Sequence, residues 1–103
     1  MEQFTIISAC IDNADWEQHH GAIRNRLREA DNHYVEIEIG LWVFKSKEAF
    51  TPIRSLEAFF LNHNVLYVSI PLSGQLQCSV SAEIEQALFE LGLEVYNLKH
   101  LRV

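Results

Sequence analysis

Residues 33–46, HYVEIEIGLWVFKS, decide how the chain folds. Val35, Ile37 and Ile39 alternate with Tyr34, Glu36 and Glu38, the period of a strand with one wet face. Gly40 interrupts that pattern, and Leu41, Trp42, Val43 and Phe44 follow as a second strand. The pair is either a tight hairpin about Gly40 or one long kinked strand. The hairpin is the preferred reading.

Upstream, Phe4 to Ile11 is a nearly continuous apolar run. Its length and β-branched content suit a strand buried on both faces at the centre of a sheet. Cys10 lies in that run, where a thiol is expected to be buried and inert. Asp12, Asn13 and Asp15 then supply residues that favour turns and helix N-caps. From Trp16 the period changes: Trp16, His20, Ile23, Leu27 and Ala30 form one helical stripe. Asp15 with Gln18 resembles a capping box, Arg24, Arg26 and Arg28 fall where the helix dipole favours cations, and Asp31-Asn32 ends the helix.

Downstream, Thr51-Pro52 signals a second helix, Ile53, Leu56 and Phe60 give its stripe, and Asn62-His63-Asn64 ends it. Phe59-Phe60-Leu61 is too wide for one stripe, so part of it is expected to meet the tail or a second subunit. Val65 to Leu72 reads as a strand with Leu66, Val68, Ile70 and Leu72 on one side. The order strand, helix, strand, strand, helix, strand is the split βαβ, or ferredoxin-like, arrangement: an α+β fold with an antiparallel βαββαβ sheet and helices on one face. A C-terminal strand-helix-strand extension follows. Gln75–Val80 alternates, Ser81 caps a helix striped by Ile84, Ala87, Leu88 and Leu91, Gly92 stops it, and Leu93–Leu98 is a short strand. No linker separates the parts, so residues 1–103 read as a single domain, with the unit at about 4–73 and the extension at about 74–103.

At 103 residues, 49% hydrophobic and 21% charged, the composition is that of a globular domain, not of a disordered or collagen-like chain. Eight Lys+Arg against fourteen Asp+Glu give a net charge of −6, which repels bulk nucleic acid and anionic membrane unless the few cations cluster. Two cysteines and no CxxC point to a reduced, cytoplasmic protein. Neither a signal peptide nor an apolar run of membrane-span length is recognisable, so no membrane partner is expected. An open sheet leaves unpaired edges, and a two-fold homodimer through Gln75–Val80 or the final strand is one solution.

The stretches Ile7–Asn13, Leu41–Ser46 and Leu61–Val68 resemble the ferredoxin-like family that contains the second core CRISPR adaptation protein, its stand-alone relatives and virulence-associated protein D. The resemblance covers about Phe4 to Ser73. It implies a dimer and a role near nucleic acid, since some members are metal-dependent nucleases and others non-catalytic scaffolds. The family's acidic residue at the end of the first strand falls on Asp12. Ile11 stands where the family usually has Tyr, and His63-Asn64 replaces its usual Asn-Asp.

Asp12 and Asp15 are hard oxygen donors suited to Mg²⁺ or Mn²⁺, and a two-fold axis would bring two copies together; capping the first helix is the favoured reading of both. Arg24, Arg26 and Arg28 would form a nucleic-acid surface under the family reading, but interleaved glutamates favour a solvated face with salt bridges. His19 and His20 are adjacent and point apart on a helix, and no spacing joins His33, His63 and His100, so zinc is not expected. No nucleophile signature and no nucleotide-binding glycine motif is present. The leading reading is therefore a non-catalytic dimeric binding or assembly protein, associated with nucleic acid if the family's role carries over, and without a cofactor. Its alternatives are a divalent-metal-dependent nuclease using Asp12 at the dimer axis, and a small-molecule binding module in the cleft between sheet and tail.

Overall fold

In a computed structural model, which describes residues 3–29, 33–46 and 51–100, β1 (Gln3–Ala9) lies between β3 (Leu41–Ser46) and β4 (Tyr67–Leu72) and runs antiparallel to both. β2 (Tyr34–Glu38) pairs with the far side of β3, giving a four-stranded antiparallel sheet in the order β2-β3-β1-β4. The α+β arrangement is compatible with a fold of the ferredoxin-like type. The run around Gly40 is a hairpin. Gly40 turns at φ 89°, and a Cβ there would lie 2.6 Å from the Ala9 carbonyl oxygen, so the close approach of β1 requires glycine.

α1 (Asn13–Arg28) and α2 (Thr51–Asn62) cover one face of the sheet. Alternation along the strands sends Ile7, Trp42 and Phe44 to that face, where they meet Ile23 and Leu27 of α1 and Leu56, Phe59 and Phe60 of α2. The opposite face carries Phe4 and Val43. It is covered by Leu76 of β5 (Gln75–Cys78), Leu88 and Leu91 of α3 (Ala82–Leu91), and Leu93 just before β6 (Glu94–Asn97). β5 and β6 form a separate parallel pair. The helix ends follow local chemistry: Ser81 Oγ accepts from the Ile84 N–H, Gly92 closes α3 at φ 114°, and Asn64 takes φ 56° after α2.

Several expectations are corrected. α1 starts at Asn13 with Asp12 as its N-cap, three residues before the expected start. Cys10 lies beyond β1 and is exposed. His20 is exposed, while its neighbour His19 is half-buried against Phe59, because the helix register turns residue 19 towards α2. The Tyr34 and Glu36 face of β2 is not wet: Tyr34 packs on Phe44, and Glu36 is bonded to Trp42 and to Arg24 of α1. Leu66, Val68 and Ile70, which the alternation puts on one side of the strand with Leu72, are 75%, 58% and 49% exposed, although such an apolar row ordinarily faces a core. The expected stop of α1 at Asp31-Asn32 lies outside the described residues.

Candidate functional site

Asp12 stands three residues past the last residue of β1, a strand whose end is held between the β2–β3 turn and the approach to β4. The Ala9 N–H donates to the Gly40 carbonyl at 2.7 Å and the Cys10 N–H to the Leu66 carbonyl at 2.8 Å, which fixes the strand end between those two segments. Asp12 itself has extended backbone, and its Oδ1 accepts from the Asp15 N–H at 2.7 Å. The backbone donor of Asp15, not its carboxylate, thus meets Asp12. Asp15 is half-buried in the first turn of α1. Among the described residues no three His, Cys, Asp or Glu side chains are gathered as a metal centre.

The same end of the sheet carries the uncovered apolar surface. Register pairs Ser8 with Leu41 on one side and Val68 on the other, and Ile6 with Val43 and Ile70. These residues lie on the face that β5, α3 and β6 cover around Phe4, Val43 and Leu72, but on β4 the cover reaches Leu72 and leaves the residues before it open. Val68, Ile70, Leu66 and exposed Ser8 are left open. Since the Cys10 N–H bonds the Leu66 carbonyl just past the end of the β1–β4 ladder, antiparallel alternation turns the backbone groups of Tyr67, Ser69 and Pro71 to the outer edge of β4. Pro71 supplies no N–H there, which blunts strand addition at that edge and leaves the side-chain face as the available surface.

The three arginines diverge. Arg24 pairs with Glu36 at 2.9 Å and lies 5.1 Å from the Trp16 ring centroid. Arg26 stacks 4.7 Å over Phe59 and donates to the Ala22 carbonyl, with its buried Nε unpartnered. Arg28 bonds the Asn25 side chain in an exposed position. The first two are engaged in packing α1, so they do not present one free cationic stripe.

Two features have no signal in sequence spacing. His19 of α1 and His63, just past α2, meet with ring centroids 4.9 Å apart, and His63 stacks on Phe59 at 4.2 Å. Helix packing, not a local motif, brings them together. A second is the contact of Tyr67 with Glu57, whose carboxylate accepts the phenol O–H at 3.0 Å; burial, with help from that carboxylate, pushes the phenol pKa up. Burial and Glu85 likewise raise the Cys78 thiol. The cleft between the sheet and the tail, lined by Tyr34, Val35, Lys45, Ala87 and Leu91 among others, has a volume of about 250 Å³, small beside the roughly 300–1,000 Å³ of ordinary ligand pockets. No helix among the described residues is long and apolar enough to cross a membrane. Comparison with protein-family models, curated proteins and solved structures found no match for this chain.

Proposed function

We propose that the chain is a small homodimeric binding or assembly protein without a catalytic site, built as a ferredoxin-like unit with β5, α3 and β6 as its extension. Its subunits meet through the open end of the sheet at Leu66, Val68 and Ile70. The observation that carries this is the contiguity of three exposed apolar side chains on a face otherwise covered by the chain's own tail. A second copy is the fitting occupant. An isologous contact sets a patch against itself, so any charge within it would face its like, and Leu66, Val68, Ile70 and Ser8 carry none. The dimer contact then lies on the open side-chain face of β4 rather than at the edge of Gln75–Val80 or of the last strand.

One observation favours a second reading. Asp12 lies at the same end of the sheet as this patch, so a two-fold axis there would draw two copies of Asp12 together, as a Mg²⁺- or Mn²⁺-dependent nuclease would need.

Sedimentation equilibrium of the protein and of Val68→Glu tests the dimer. A dimer mass for the parent, with a folded monomer for the variant, is expected; a monomeric parent at all concentrations overturns it. Labelled RNA and DNA, single- and double-stranded, incubated with Mg²⁺, Mn²⁺ or EDTA, separate the two readings. The binding reading expects no cleavage. Metal-dependent cleavage abolished by Asp12→Asn would establish the nuclease instead. Salt-sensitive anisotropy without cleavage would make nucleic acid the partner, and its absence would direct the search to proteins.

A further inference from the structure

We propose that His19 and His63 form a binding site for a divalent transition-metal ion, bridging α1 and the end of α2. The spacing of the rings fits two imidazoles on one ion. With metal–nitrogen bonds of about 2.0–2.1 Å, each ring centroid lies about 3.2 Å from the ion, and N–metal–N angles of roughly 90–109° put the centroids about 4.5–5.2 Å apart. The observed separation is 4.9 Å, with the ring planes at 64°.

The chemistry of each ring supports the assignment. His63 Nδ1 lies 3.0 Å from the Phe59 carbonyl oxygen, which can only accept. The proton of the neutral ring therefore sits on Nδ1, which leaves the Nε2 lone pair available, the tautomer that an outer-shell carbonyl imposes on metal-bound histidines. Among the described residues, His19 makes only ring contacts, to Phe59 and His63, so its nitrogens are not committed to a hydrogen bond. Phe59 backs both rings, stacked on His63 and edge-on to His19, and limits their movement. His63 is exposed, which gives the ion an entry path. Imidazole suits Zn²⁺, Ni²⁺ and Cu²⁺ rather than Mg²⁺, and water completes the coordination. Arg26 lies over Phe59 and opposes a cation, while the net charge of −6 favours one, so the site is a modest binder, not a structural zinc centre.

The test is isothermal titration of the untagged full chain with Zn²⁺ and with Ni²⁺. The parent is compared with His19→Gln and His63→Gln, and with His20→Gln and Cys10→Ser as controls. One ion per chain is expected, with affinity lowered at least about tenfold by either of the first two substitutions, a loss that removal of even an outer-shell partner can bring. The controls should bind as the parent does. Absence of saturable binding overturns the site, as do His19→Gln and His63→Gln chains that bind unchanged, or a control that loses binding to the same degree. Ni²⁺ broadening of the histidine ring resonances of the unaltered chain needs no variant to fold: His19 and His63 should broaden first, and early broadening elsewhere refutes the proposal.

Discussion

Arg24 on α1 holds Glu36 on β2 through its two terminal guanidinium nitrogens, Nη1 and Nη2, at 2.9 and 3.2 Å, and so ties the helix to the edge of the sheet. The Trp42 indole N–H donates to the same carboxylate at 2.8 Å. The two contacts differ in weight. The arginine is 40% exposed, so water screens its ion pair, whereas Trp42 is fully buried and has no solvent to turn to. Arg24→Ala should cost at most about 1 kcal/mol, the range of exposed pairs. Glu36→Ala, which orphans the indole as well, should cost about 2 kcal/mol or more. Glu36→Gln keeps an acceptor and should fall between. Urea unfolding of the three variants at one protein concentration gives the order; an Arg24 variant as damaged as the Glu36→Ala variant would refute it.

Two glycines should respond in opposite directions to alanine. Gly40 combines φ 89° with an Ala9 carbonyl oxygen 2.6 Å from the site of a Cβ, so neither backbone nor neighbour can accept one. Gly40→Ala should destabilise by about 2 kcal/mol or more, through left-handed strain and displacement of β1 from the hairpin turn. Gly21 lies inside α1 with nothing within 4 Å of its added Cβ. Gly21→Ala should stabilise by about 0.5–1 kcal/mol, the difference in helix propensity. Thermal melting of both, at matched concentration, checks the signs.

The contrast between these glycines shows what the chain makes legible. Gly40 is readable because it interrupts two apolar runs, and Ser81, Gly92 and Asn64 because caps act within a few residues of themselves. Element order is local information of the same kind. What escapes is which side of an element the rest of the chain covers. Leu66, Val68 and Ile70 alternate as a buried row does, yet their cover depends on how far α3 and β5 reach across the sheet. Glu36 looks wet because it is charged, and its partners arrive from a helix and another strand. The Asp12 cap is local and readable, whereas the His19–His63 pair joins a position on α1 to one just past α2, so no spacing rule could find it.

The two thiols should react at different rates. Cys10 is exposed beyond the end of β1, whereas Cys78 is half-buried, with burial and then the Glu85 charge pushing its pKa up. The thiolate is the reacting species, so Cys78 is disfavoured by both access and ionisation at pH 7.5. Iodoacetamide labelling followed by peptide mass analysis should find Cys10 alkylated first, by at least about tenfold in rate. Removing the Glu85 charge by Glu85→Gln should speed Cys78, though less than unfolding does. Equal rates in the native protein would contradict this placement.

Asp12 offers a separation of structure from chemistry. Its Oδ1 caps α1 through the Asp15 N–H, and asparagine presents the same oxygen to the same donor. Asp12→Ala should therefore lose about 1 kcal/mol, which in a domain of this size lowers the melting temperature by about 4–8 °C. Asp12→Asn should melt within about 0.5 kcal/mol of the parent, because only the favourable charge at the helix N-terminus is removed. Divalent cations bind the carboxylate far better than the amide, so the two substitutions diverge if the residue holds a metal. Melting each protein with and without 10 mM Mg²⁺ reads both roles at once. If Asp12 only caps, Mg²⁺ shifts all three chains alike, and Asp12→Asn follows the parent. A Mg²⁺-dependent rise in the parent that both variants lose would place the ion on the carboxylate, and would carry the nuclease reading past the binding one.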